Sequence, residues 1–73
     1  MAKEMKSNEV VLVGSAGFGT ALAAHTLGAK TGNTYIDAGI GIVAALAGWF
    51  MDYDGLGDYV EGFGIGYFLA SIL

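Results

Sequence analysis

Apolar residues fall in three blocks along the chain, 9–28, 35–51 and 58–73, with polar residues gathered before and between them. The polar lead, 1–8, holds two lysines and ends in Ser7 and Asn8, either of which can cap a helix with Glu9 in its first turn. The first block carries no charge after Glu9. As a helix it would be about 30 Å long, the thickness of a bilayer's hydrocarbon core. Within it Ala16, Thr20, Ala24 and Gly28 recur every four positions, with Gly17 and Ala21 beside them, while Val11, Leu12, Phe18, Leu22 and Leu27 supply bulk elsewhere. Small residues at that spacing let another helix approach closely.

Residues 29–34 break the pattern. Gly32 and Asn33 tolerate positive φ, Lys30 stands where a cation suits a helix end, and so short a connection joins antiparallel helices. Thr34-Tyr-Ile-Asp37 has the layout of a capping box with Asp in place of Glu. The second block sets Gly41 four residues before Ala45, and Ala44 four before Gly48. It closes on Trp49, Phe50 and Tyr53 beside Asp52 and Asp54, the composition of a membrane-interface belt. Asp54-Gly-Leu-Gly57 predicts a kink or turn. Asp58-Tyr-Val-Glu61 can then open a further helix, where Gly62, Gly66 and Ala70 repeat the small-residue spacing.

The expected fold is therefore all-α, a single domain built as an apolar helical hairpin. Helix 9–28 and turn 29–34 lead into a second long helix, 35–73, kinked or broken at 54–57 or followed there by a third. Close helix approach is expected at Gly14, Gly17, Ala24 and Gly28, at Gly41, Ala45 and Gly48, and at Gly62 and Gly66.

Two shorter patterns read differently. Gly39-Ile-Gly-Ile and Gly62-Phe-Gly-Ile-Gly66 alternate with a period of two, as strands do, whereas Ala44-Ala-Leu-Ala47 favours helix. Val10-Val-Leu-Val-Gly-Ser-Ala-Gly-Phe-Gly-Thr-Ala-Leu-Ala23 resembles the opening of dinucleotide-binding dehydrogenases, and Asp37 stands near where an acid would hold a ribose hydroxyl. The glycine order departs from that fingerprint, with Ala16 where a glycine is needed. One βαβ unit takes about 30 residues, so a complete sheet does not fit the chain. No His, Cys, Lys or Arg follows Asp37. A structural role, not an enzymatic one, and no small-molecule substrate are the expectation.

Composition narrows the choice further. Hydrophobic residues make up 55% of the 73 positions and charged ones 14%, where an ordinary soluble domain carries about a quarter charged. A chain this short buries little surface alone. The absence of Cys excludes disulfides and thiolate metal sites, and a single histidine, His25, argues against an imidazole site. No metal or cofactor is expected. What remains is stability only as an oligomer or in lipid. Net charge is −4, with Lys3, Lys6 and Lys30 as the cations and no Arg, a poor endowment for gripping nucleic acid with one subunit. An array, however, would repeat Lys30 along one track.

Two further groups could carry chemistry. His25 could line a pore or titrate as a switch, or simply sit neutral and bonded to a carbonyl. Asp52, Asp54, Asp58 and Glu61 faintly echo a calcium loop, but without its length or its terminal bidentate Glu they read as a solvated acidic rim.

Polar lead, apolar helix, short cationic turn and second apolar helix with an acidic end, over residues 9–51, resemble the pilins of conjugation-type (type IV) secretion systems. The resemblance implies a subunit held in the inner or cytoplasmic membrane as a helical hairpin. From there it would pass into a cell-surface filament with many copies of itself and bound phospholipid. It also implies that the basic turn faces the lumen through which DNA passes, and Lys30 matches that turn. The chain is similar, too, to the small helical-hairpin coat proteins of rod-shaped and filamentous viruses, for which the place is the virion and the enclosed partner nucleic acid. A third expectation is a small membrane peptide such as a holin.

Overall fold

The computed structural model describes residues 7–51 and 55–73, and among them the chain is wholly helical. The first helix, α1, runs Ser7–Thr26 and the glycine-rich segment 14–19 lies inside it, so no phosphate-cradling turn exists there. It stops because Gly28 takes φ +103°, a conformation costly for any residue with a Cβ. The reversal lets Gly28 N–H donate to His25 O at 3.1 Å and Ala29 N–H to Ala24 O at 2.9 Å, using carbonyls the helix end leaves open. Gly28, expected on a packing stripe, is instead the helix stop, and space is open where its Cβ would be.

The second helix, α2, spans Thr34–Phe50 and is capped by Asn33, not by a box starting at Thr34. Asn33 Oδ1 accepts from Tyr35 N–H at 2.9 Å and Ile36 N–H at 3.2 Å. The third, α3, spans Leu56–Ile72 behind Gly55 at φ +77°, which puts Asp58 in its first turn and not at its cap. The stretch 35–73 is thus two helices of 17 residues each. Lys3, Lys6, Asp52, Tyr53, Asp54 and the side chains proposed to cap α1 lie outside the described residues.

The hairpin is where the structure departs from expectation. α1 and α2 do not pack on each other; α3 runs between them and packs on both. Gly14 faces Gly62 while Phe18 and Ala21 face Gly66, so α1 and α3 are parallel. Gly41 faces Gly64 and Phe68 while Gly48 faces Gly57 and Glu61, so α2 runs antiparallel to α3. The physical reason is that α3 carries a pair of close-packed glycines on each of two sides, whereas the outward glycines of α1 and α2, Gly19 and Gly39, meet nothing. Gly62 and Gly66 open one flank to α1, and Gly57 and Gly64 open the other to α2. α1 and α2 each have one face of close approach, and α3 occupies both.

Among the described residues no large side chain is fully buried. Among the described residues the buried hydrophobic positions are Ala21, at 0% exposure, and Tyr67, at 6%. An ordinary core interlocks side chains; here backbone lies against backbone. α1 has the length to span a bilayer, but Gly, Ser, Thr and Ala dilute it, and among the described residues no helix is long and apolar enough to cross a membrane.

Candidate functional site

The helix contacts are built from glycines whose Cα–H bonds point at the backbone of the facing helix, at carbonyl oxygens on the α1 flank and first at amide nitrogens on the α2 flank. A Cβ added at Gly62 would lie 2.1 Å from Gly14 O, at Gly17 2.1 Å from Tyr59 O, and at Gly66 2.6 Å from Phe18 O. On the other flank the nearest atom is a backbone nitrogen: a Cβ at Gly41 would lie 2.5 Å from Phe68 N, at Gly64 2.2 Å from Ala45 N, and at Gly48 2.3 Å from Glu61 N, with the carbonyl oxygens of Gly64, Gly41 and Gly57 at 2.7, 2.5 and 2.7 Å. Each such position admits hydrogen only. Contacts of the Cα–H···O=C type recur at close helix interfaces and contribute about 0.5–1 kcal/mol each.

The structure thus brings Gly14, Gly17, Gly62 and Gly66 together on one side of α3, and Gly41, Gly48 and the backbone of Ala45 on the other. Ala24 is half-buried near the end of α1, where its carbonyl serves the C-cap. Ala16 and Thr20, placed on the same stripe by spacing four, are exposed; the contact face of α1 runs through Gly14, Gly17 and Ala21 at alternating steps of three and four. Gly57 and Gly64 escaped the sequence reading. Their signal was the seven-residue spacing, which sets a second glycine pair opposite Gly62 and Gly66.

One end of the molecule holds a polar cluster that spacing did not reveal. The 27–33 connection passes over the C-terminal part of α3, where the Tyr67 hydroxyl donates to Ala29 O. Tyr67 stacks on Phe63 with ring centres 6.0 Å apart and meets the His25 ring edge-on at 5.4 Å. His25 therefore stands against an aromatic ring. Asp37, 3% exposed, ties the connection from the α2 side: its Oδ1 accepts from both Thr31 N–H and Thr31 Oγ1 at 2.8 Å. Lys30 is exposed on the same connection, its N–H bonded to Gly28 O. Burial, and then the Asp37 carboxylate, push the Tyr67 phenol up.

The backbone N–H of Thr31 above all holds the Asp37 carboxyl below its ordinary 3.8, against the opposing effect of burial; the Thr31 hydroxyl, the Gly32 backbone and His25 act in the same direction. A depressed carboxyl stabilises the fold above its unfolded value, and that contribution is lost as pH falls through the folded one. Melting temperature is therefore expected to drop on acidification below about pH 4. In Asp37→Asn, the drop over the same range should be smaller, from a lower starting point. Equal pH slopes in the two proteins would show that Asp37 does not anchor the connection.

The outward surface is apolar. Trp49 and Phe50, exposed at the end of α2, stack with ring centres 6.2 Å apart. Asp58 and Glu61 rim an open groove of about 370 Å³ between α1 and α3, floored by Gly14 and Gly62 and walled by Val10, Phe18 and Ile65. Among the described residues no three His, Cys, Asp or Glu gather closely enough to hold a metal ion. Across the α1–α3 contact, Tyr59 donates to Thr20 Oγ1 at 2.7 Å, and Thr20 in turn donates to Ala16 O at 2.8 Å. Set against protein-family models, curated proteins and solved structures, the chain matches none of them.

Proposed function

We propose that the chain is a structural subunit that joins copies of itself in a helical filament, of the kind conjugation-type pilins build for DNA transfer. Phospholipid fills whatever apolar surface the copies leave uncovered. The observation that carries this reading is the placement of bulk. Sixteen large apolar side chains are exposed among the described residues, whereas the buried hydrophobic positions are Ala21 and Tyr67. Covering the exposed halves of a dozen such side chains gains on the order of 10 kcal/mol, as much as the whole stability of an ordinary domain. A surface like this stays out of water by association. Lys30, exposed at one end of the helices, then repeats once per copy along a single track.

The test is to purify the assemblies that the chain forms in cells producing it, image them, and extract them with organic solvent. Filaments carrying stoichiometric phospholipid and no packaged nucleic acid are expected. Packaged nucleic acid without lipid would instead make the chain a coat protein. Subunits that remain separate in water at high concentration would overturn self-assembly itself.

A further inference from the structure

We infer that copies of the chain meet at unlike edges: the outward ridge of α2 on one copy seats on the smooth outward face of α1 on the next. This contact rests on the self-assembly reading and names the interface that carries it. α1 and α2 each spend one face on α3 and leave the opposite face unpartnered. The free face of α1 runs Leu12, Ala16, Gly19, Ala23 and Thr26, all exposed; Gly19 stands at its margin, on the lip of the α1–α3 groove, and a Cβ there would meet nothing within 4 Å. The free face of α2 runs Ile36, Gly39, Val43, Leu46 and Phe50, its four large residues 48–77% exposed. Neither row contains a charged residue.

Both rows advance by alternating steps of three and four. That average of 3.5 keeps two helices in contact along their length when they cross at about 20°. One row is small and the other large, so each fits the other better than itself. Two α2 ridges would hold their axes apart, and two α1 faces would bury little. A contact between unlike patches does not close on itself as a two-fold pair does; it propagates into an open row.

The direction follows from the fold. With α2 antiparallel to α1 and α3, copies repeating in one orientation place α2 antiparallel to the neighbour's α1. The positive N-terminal end of α2 then lies beside the negative C-terminal end of the next α1. The exposed parts of the α2 ridge amount to several hundred Å², short of the about 800 Å² per partner of a stable pair, so each contact is weak and rows lengthen as concentration rises.

The chain has no cysteine, so engineered thiols are the sole ones present. Gly19 and Val43 lie level near mid-helix, on opposite outer sides of α3, so within one chain the two cannot meet and any disulfide joins two copies. Oxidation of an assembled chain bearing Gly19→Cys with Val43→Cys, or Ala16→Cys with Leu46→Cys, is expected to give a ladder of linked multimers. Each single variant is expected to give none. Linked dimers from a single variant would show like edges meeting and overturn the proposal. Assemblies in which neither pair yields a ladder would overturn it too, while leaving self-assembly standing; a chain that never assembles would overturn both.

Gly19→Leu supplies a second measurement. Its position is open in the subunit, so helical circular dichroism should be unchanged while association weakens by about tenfold or more. Association at the original strength would count against the α1 edge.

Discussion

Gly64→Ala is expected to destabilise the chain by about 2–3 kcal/mol, the reverse of what this change does in an open helix. Alanine is favoured over glycine by about 1 kcal/mol in a helix interior, chiefly through the freedom glycine loses on folding. At Gly64 that gain is overwhelmed. The new methyl would lie 2.2 Å from Ala45 N and 2.5 Å from Gly41 O, and both are backbone atoms of a regular helix. Neither can rotate aside, so α2 and α3 must separate along their contact. Gly39→Ala is the control, since a Cβ there meets nothing within 4 Å and should stabilise by up to about 1 kcal/mol. Urea unfolding followed by circular dichroism, at one fixed protein concentration, reads both. Similar midpoints for the two variants would mean that the helices do not approach at Gly64.

Tyr67→Ala should cost about 3–5 kcal/mol, as large aromatic truncations do where the site cannot collapse. Tyr67 is the one large side chain among the buried hydrophobic positions of the described residues, and it links all three helical neighbourhoods. Its ring contacts Phe63 on α3 and His25 on α1, and its hydroxyl holds the connection into α2 at Ala29 O. Tyr67→Phe separates the two contributions. It keeps the ring and removes the hydroxyl, so its cost should be about 1 kcal/mol, with faster amide exchange confined to residues 27–33. If the two substitutions cost the same, the hydroxyl and not the ring would be the principal anchor, contrary to the packing described.

The helices themselves were legible. Three apolar blocks, a Gly-Asn turn after Lys30 and the Gly55–Gly57 break predict where helix starts and stops to within a few residues. The pairing was not. Each block is apolar nearly all round, so periodicity marks no single inward face, and adjacency in sequence favoured α1 against α2. What decides the arrangement is the two-sided glycine pattern of α3, in which Gly57 and Gly64 occupy the flank opposite Gly62 and Gly66. Spacing-four stripes also misled by one step on α1, because Ala16 and Thr20 share small size with Gly17 and Ala21 but are exposed, Thr20 meeting α3 at its margin through the Tyr59 hydroxyl. Size alone does not distinguish a residue that must be small from one that merely is. Gly48 shows the same limit: a larger residue there would strike Glu61 and Gly57 of its own chain before reaching any other copy. Asp37 and Thr31 are six apart across a turn, and no helical or strand period relates them.

Because α3 lies between its predecessors, both earlier helices need a segment that is made after them. A ribosome-bound chain that has reached residue 50 holds the apolar flanks of α1 and α2 without the helix that covers both. Every helix-to-helix contact in the subunit is acquired in one late step, when α3 emerges and inserts. Until then, the growing chain depends on its surroundings to keep those flanks from meeting the wrong partner.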